Sequence, residues 1–320
     1  MSTATLAKKQ LILGLESTAG TALTLANADH NIKFYNIEVD MDIEEYVLQF
    51  ASGRHSYGPS TMGKRSVTFK ARAAMLLGGA AATAPNLGKA FKSCGLLETV
   101  VSSTSVAYTP NATKDEGDSI NATIAVQFLF TSGNAVQVLG KGCIGEVSVT
   151  LENGALVADF EWVGALVSVT DATALVLTSP DTGAAPQLVA GATITVGAVA
   201  KDIDNLMLKA GTTRELQVAN SDATGYLKAV IRKREPELSI NPRMMRLTND
   251  TNYTRWAAGT QSAFSAATPT VSGLKWTISA PKASLKGDKP GARGQEVTWE
   301  ETYSLRESSG DDEFKIMQSA

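Results

Sequence analysis

The stretch EVSVTLENGALVADFEWV, residues 146–163, constrains the fold more than any other part of the chain. Val147, Val149 and Leu151 alternate with Glu146, Ser148, Thr150 and Glu152. After Asn153-Gly154 the alternation resumes, with Leu156, Ala158, Phe160 and Trp162 set against Asp159 and Glu161. A period of two places successive side chains on opposite faces of a strand. Asn-Gly supplies the positive backbone angles of a two-residue hairpin turn. The spacing therefore predicts a hairpin with one apolar, buried face and one polar, solvated face.

The same grammar recurs earlier in the chain. Ile37, Val39, Met41 and Ile43 alternate with Glu38, Asp40, Asp42 and Glu44, giving a strand with an acidic face. Lys64, Ser66, Thr68, Lys70 and Arg72 alternate with Arg65, Val67, Phe69 and Ala71, giving a strand with a basic one. Paired antiparallel, the two would set opposite charges across the ladder, each exposed pair contributing about 0.2–1 kcal/mol and fixing register more than stability. Ser119–Phe130 alternates again, turns at TSGN and returns over Ala135–Leu139.

One stretch, TAPNLGKAFKSCGLLET from Thr83, changes to helical spacing. Leu87, Ala90, Phe91 and Cys94 fall at i, i+3, i+4 and i+7, which predicts an apolar stripe on a helix over 83–97 while Lys89 and Lys92 reach water. Thr83 suits the N-cap, Pro85 the first turn and Gly95 the left-handed stop. So short a helix must pack against a sheet.

Composition removes several function classes. With 320 residues and 43% apolar content the chain can bury a core as one domain. Its net charge of -3 gives no general affinity for nucleic acid, which needs a concentrated cationic surface. Two cysteines make no disulfide framework and two histidines are few for a metal site, so a reduced, cytosolic folding compartment and no cofactor are expected. No apolar run approaches the roughly 18 residues of a membrane span, and Leu11–Leu15, closed by Glu16, is too short for a signal-peptide core. GKGCIG matches G-x-G-x-x-G at Gly140, Gly142 and Gly145, but a strand follows where a phosphate-binding helix is required, so these glycines are expected at a bulge. No nucleophile and base converge, and no enzyme is expected.

Three regions look outward. Tyr46–Gly63 is longer than structureless loops usually run and carries Tyr46, Phe50, Arg54 and Tyr57, so it reads as a hairpin extension that docks on a partner. Residues 1–30 lack sustained periodicity and read as an arm, and 306–320 reads as a second arm or short terminal strand. The run Lys228–Arg246 includes Arg232, Arg234 and Arg243, which reads as an intersubunit surface meeting acids such as Asp311 and Asp312. Residues 165–200, low in charge with turn signals at SPDTG, read as strands around a variable loop. Val297–Leu305 alternates, with Trp299 and Tyr303 expected inward.

The succession TAPNLGKAFKSCGLLET, VAYTP, GKGCIGEVSVTLENG and FEWVG resembles the tail tube proteins of long-tailed bacteriophages, with SCG and GCIG where that family has ACG and G.RG. RKREPELSINPRM, RWAAG and GLKWTISAPKASL extend the likeness, and STAGTA keeps part of the family's opening. The resemblance implies a mainly β fold: two packed β-sheets, a sandwich or partial barrel, with one flanking α-helix, the inner sheets joining into a ring-wide β-barrel in a hexamer. It implies a structural protein of the virion, built in the host cytoplasm, whose stacked rings form the hollow tube that conducts the genome. Expected partners are further copies of the chain, the tape-measure protein, the tail terminator and tail-tip proteins, with double-stranded DNA in transit and no membrane. In such a tube the bore would be lined by Glu38, Asp40, Asp42, Glu44, Ser66, Thr68, Lys70, Glu146, Ser148, Thr150, Glu152, Asp159 and Glu161. The alternative is a β-sandwich adhesin or glycan-binding module, with surface aromatics gathered in a groove.

Overall fold

The computed structural model describes residues 8–47, 60–111, 120–130, 133–183, 185, 188, 191–246, 249–250 and 252–320. The first half of the chain gives β1 (Lys9–Leu15), β2 (Tyr35–Val47), β3 (Ser60–Ala74), the helix α1 (Gly88–Lys92), β4 (Leu96–Val101), β5 (Ser105–Pro110), β6 (Ala122–Leu129), β7 (Asn134–Glu152) and β8 (Ala155–Thr173). The second half adds β9 (Thr193–Val196), β10 (Val199–Ala200), β11 (Leu206–Lys209), β12 (Thr212–Val218), β13 (Tyr226–Arg234) and β14 (Glu237–Ile240). The helix α2 (Asn252–Ala257), β15 (Ser262–Ala267), β16 (Lys275–Arg293), β17 (Glu296–Arg306) and β18 (Lys315–Ser319) complete it.

The fold is mainly β and antiparallel. It is built outward from β7 and β8, whose 19 residues each pair around a turn with Asn153 at φ +50 and Gly154 at +83. The expected register holds: Leu151 faces Leu156, Val147 faces Phe160, and Glu146 faces Glu161. Inside, Phe160 and Trp162 stack at 5.0 Å between centroids, and Phe34 and Phe91 close on them edge-on or tilted. Such ring pairs add about 0.5–1.5 kcal/mol beyond the area they bury.

The sheets differ from expectation in one respect. Instead of two separate sheets, a single 16-stranded sheet runs β10-β9-β15-β16-β17-β14-β11-β7-β8-β3-β2, with β1 and β6 branching from β7 and β18, β5 and β4 from β16. Strong sheet twist lets it curl. The indole N–H of Trp276 on β16 donates to the carbonyl of Met75 just past β3, and the Gln318 side chain accepts from the Gly78 amide, although these strands stand far apart in the sheet order. The result is an open roll around one core and not a closed barrel. Among the described strands, β12 and β13 alone stand apart, as a two-stranded ribbon.

The helix is where expected but shorter. Its stripe Leu87, Ala90, Phe91 and Cys94 is fully buried and Gly95 takes φ +77. Thr83 does not cap it; α1 begins at Gly88, because the preceding residues are held in turns and the Asn86 amide donates to Asp181. A second helix, α2, was not expected from NYTRWA, whose exposed rings gave no helical stripe. Residues 9–15, expected within an arm, form β1 beside β6 with Leu11, Ile12 and Leu13 buried. A strand covered on both faces shows no alternation, which is why its periodicity was missing. In β17 Tyr303 points inward as expected, but Trp299 is only half-buried and Glu301 is fully buried. Lys201, also fully buried, lies 3.2 Å from it and supplies the counter-charge.

The glycines of GKGCIG serve the strand. The register slips at Leu139/Gly140 and Lys141/Ile144, Gly142 sits at φ +59, and β7 continues beyond. A Cβ on Gly145 would lie 2.5 Å from the Trp162 ring and 2.6 Å from the Cys94 sulfur, both enclosed. Gly145→Ala should therefore cost about 1–3 kcal/mol, read as a lower urea midpoint at unchanged slope.

Candidate functional site

Strands β2, β3, β8 and β7 place the residues expected to line a bore on one face. One cross-sheet row runs Glu38, Lys70, Glu161, Glu146, and the next joins Arg72, Asp159 and Ser148. Thr150 and Glu152 continue the face toward the turn, while Thr68 and Ser66 stand opposite Asp40 and Asp42 toward the other end. A groove of about 440 Å³ lies along it between Glu38, Lys70, Arg72, Asp159 and Lys209.

Cations are woven through these acids. Arg72 reaches Glu152 at 3.1 Å and pairs closely with Asp159, Lys70 lies 3.5 Å from Glu161, and Lys64 lies 3.2 Å from Glu44. Hydrogen bonds from Tyr46 and Lys64, joined by Tyr226, hold the Glu44 carboxyl below its ordinary range. Glu146 and Glu161, directly opposed, would repel each other were Arg214 not between them, at 3.7 and 2.8 Å. Burial alone would raise the Glu161 carboxyl, but the Arg214 hydrogen bond and charge, with help from Lys70, bring it below its usual value.

Arg214 belongs to β12, and its ribbon lies on this polar face. Ala229, Ile231 and Leu216 pack on Ile144, which shares the face with Glu146. Lys141 and Asp222 pair closely beside it. The face expected to be solvated is thus partly covered, at the Glu146 end. Arg214, Lys209 and Tyr226 escaped the sequence reading; the one signal was an arginine on the same side of TTRELQV as Leu216.

The opposite end of β2 and β3 is bare. Beyond Val39 the apolar side loses its cover, leaving Met41 46%, Ile43 47% and Met62 64% exposed, with Tyr46 and Val47 beside them. β2 also terminates the sheet, and its outer edge has no strand partner among the described residues. Phe50, Arg54 and Tyr57, expected in a docking loop here, lie outside the described residues. Of the other expected intersubunit residues, Arg232 pairs with Glu215 at 2.6 Å, and Arg243 lies 3.0 Å from Glu296 and 3.4 Å from Asp202. Arg234 lines a groove with Glu235 and Glu237. Asp312 accepts the amides of Ser308 and Ser309 and closes their turn beside Asp311. Within one chain Arg232 and Arg243 of the basic run meet Glu215, Glu296 and Asp202.

Arg214→Ala should cost about 1–2 kcal/mol, because hydrogen bonds to charged groups are worth more than neutral ones. The Glu161 carboxyl is lowered on folding, so the stability Arg214 contributes is present above the ordinary carboxylate value and is lost as pH falls through the lowered one. Urea titrations of the two proteins should converge under acid conditions.

No protein-family model matches the chain, and no curated protein matches it.

Proposed function

We propose that the chain is a structural subunit that polymerises with copies of itself as stacked hexameric rings into a hollow tube, the tail tube of a long-tailed bacteriophage, through which double-stranded DNA passes. The observation that carries this reading is the β2–β3 hairpin: one face charged, the other apolar and bare at its far end, around Met41, Ile43 and Met62, and the β2 edge open among the described residues. An exposed edge with exposed apolar side chains is a liability on a lone monomer, and pairing with a neighbouring copy removes it. Repeating one head-to-tail contact around an axis closes a ring. The charged face then turns toward the axis. Asp40 and Asp42, standing opposite hydroxyls, repel phosphates, while the ion-paired rows offer DNA few free cations to bind. Tape-measure, terminator and tail-tip proteins are the partners this role requires.

The alternative, a β-sandwich adhesin or glycan-binding module, wants aromatics in a groove edged by hydrogen-bonding groups. Tyr253, Trp256 and Trp299 do gather in one pocket, with Met244, Met245 and Pro290 and with Arg246, Asp250, Asn252 and Asp288.

Two measurements test assembly and conduction separately. Electron microscopy of the purified protein should show rings or tubes with a central channel, and Met41→Asp with Ile43→Asp should leave a folded monomer; unimpaired tubes from that variant would remove the β2–β3 hairpin from the interface. Asp40→Lys with Asp42→Lys should keep the tubes and slow DNA ejection; ejection at the normal rate would show that bore charge is not what spares the DNA.

A further inference from the structure

Where the β12–β13 ribbon leaves the main sheet, between β11 and β14, its two ends and β17 border a recess of about 570 Å³. Four cations line it, Lys209, Arg234, Lys286 and Arg306, against three carboxylates, Glu146, Glu235 and Glu237. Each of these acids already has a cation beside it. Glu146 has Lys209 and Arg214, both at 3.7 Å, Glu237 has Lys286 at 3.2 Å, and Glu235 has Lys233 at 2.6 Å. Arg214 is shared with Glu161, which has Lys70 as well. The lining therefore keeps a positive charge after its acids are matched.

The unmatched charge sits at Arg306. It is exposed, and among the described residues it makes no ion pair. Directly across the ladder from it stands Lys282, likewise without one. Like charges in opposed positions destabilise a sheet, so this pair gains from an anion laid against it. Ser304, two residues before Arg306, lies on the same side of β17. Its hydroxyl and that of Thr213 line the recess, and neither makes a hydrogen bond among the described residues. The side chains of Lys209 and Lys286 are more than half exposed, so a solute can reach their ammonium groups.

We propose that this recess binds a small polyvalent oxyanion of the phosphate class. Arg306 grips it with a planar fork of N–H donors, Lys209 and Lys286 add charge, and the hydroxyls of Ser304 and Thr213 add neutral donors. A compact anion can touch these groups alone. An extended polyanion such as a DNA duplex would also lie against Glu235, Glu237 and the acids of β7 and β8, which repel it. The site does not depend on the assembly proposed above.

The test is calorimetric titration of the full-length protein, at constant ionic strength, with pyrophosphate, with acetate, and with pyrophosphate in the presence of a short DNA duplex. Pyrophosphate should bind saturably and at least about tenfold tighter than acetate, as added charge-assisted hydrogen bonds require. Arg306→Ala, a change at an exposed side chain, should weaken pyrophosphate about tenfold by removing such bonds. Lys289→Ala removes an exposed cation that pairs with Glu300 outside the recess, and should leave binding unchanged. Equal binding of pyrophosphate and acetate by the unaltered protein, no saturable heat, equal weakening by the two variants, or displacement of pyrophosphate by the duplex would each overturn the proposal. The comparison of anions on the unaltered protein holds even where a variant folds poorly.

Discussion

The register imposed by Asn153-Gly154 is the constraint on which the rest depends. It is set locally, by two residues able to hold positive φ, and it is transmitted along 19 residues of each strand. A slip of one residue would turn Phe160 and Trp162 to the polar side. The aromatic stack would lose its partners, the indole of Trp162 would lose the Ser93 hydroxyl at 2.8 Å, and the Gly145 contact that seats Cys94 would vanish. The outer rows would scatter as well, since Glu161 meets Lys70 and Asp159 meets Arg72 only in this register.

How far the sequence could be read follows from the range of each interaction. Hairpin registers were legible because they follow from a turn and a period of two, and the same logic put Glu38 across from Lys70. What closed the polar face was not legible. With Glu146 opposite Glu161 a cation was needed, but that it would be Arg214, on a ribbon more than fifty residues away, depended on how the chain returned. The roll of the sheet was hidden for a similar reason: Trp276 and Met75 meet through tertiary closure that no local pattern encodes. β1 escaped because a doubly buried strand has no polar face to alternate, and Glu301 because the partners that make a buried carboxylate tolerable, Lys201 and Asn252 with Tyr303, are brought to it by the fold.

The candidate face also shows why composition alone misleads about electrostatics. A string of acids read from sequence suggests a uniformly negative surface. Paired rows of acids and bases behave differently, since their fields largely cancel within a Debye length, about 8 Å at physiological salt. What remains at longer range is the contribution of carboxylates such as Asp40 and Asp42, which face hydroxyls. The charge pattern thus varies along β2: Asp40 and Asp42, facing hydroxyls, lie between the Lys70 row and Glu44, which pairs with Lys64.

The β12–β13 ribbon has a further consequence, in the energetics of local opening. Two strands alone are at best marginally stable in water. The ribbon is held to the body by an apolar contact on Ile144, by the Lys141–Asp222 pair, by Arg214 astride two glutamates, by the Asn121 side chain donating to the Ala229 carbonyl and by the Arg65 amide donating to the Thr224 carbonyl. Ala229, Val230 and Ile231 are buried at 0–2% exposure, so detaching the ribbon uncovers apolar surface as well as breaking ion pairs. The ribbon can open only by breaking these contacts together, and its amides, in a sheet of two strands, should exchange with solvent before those of β7 and β8.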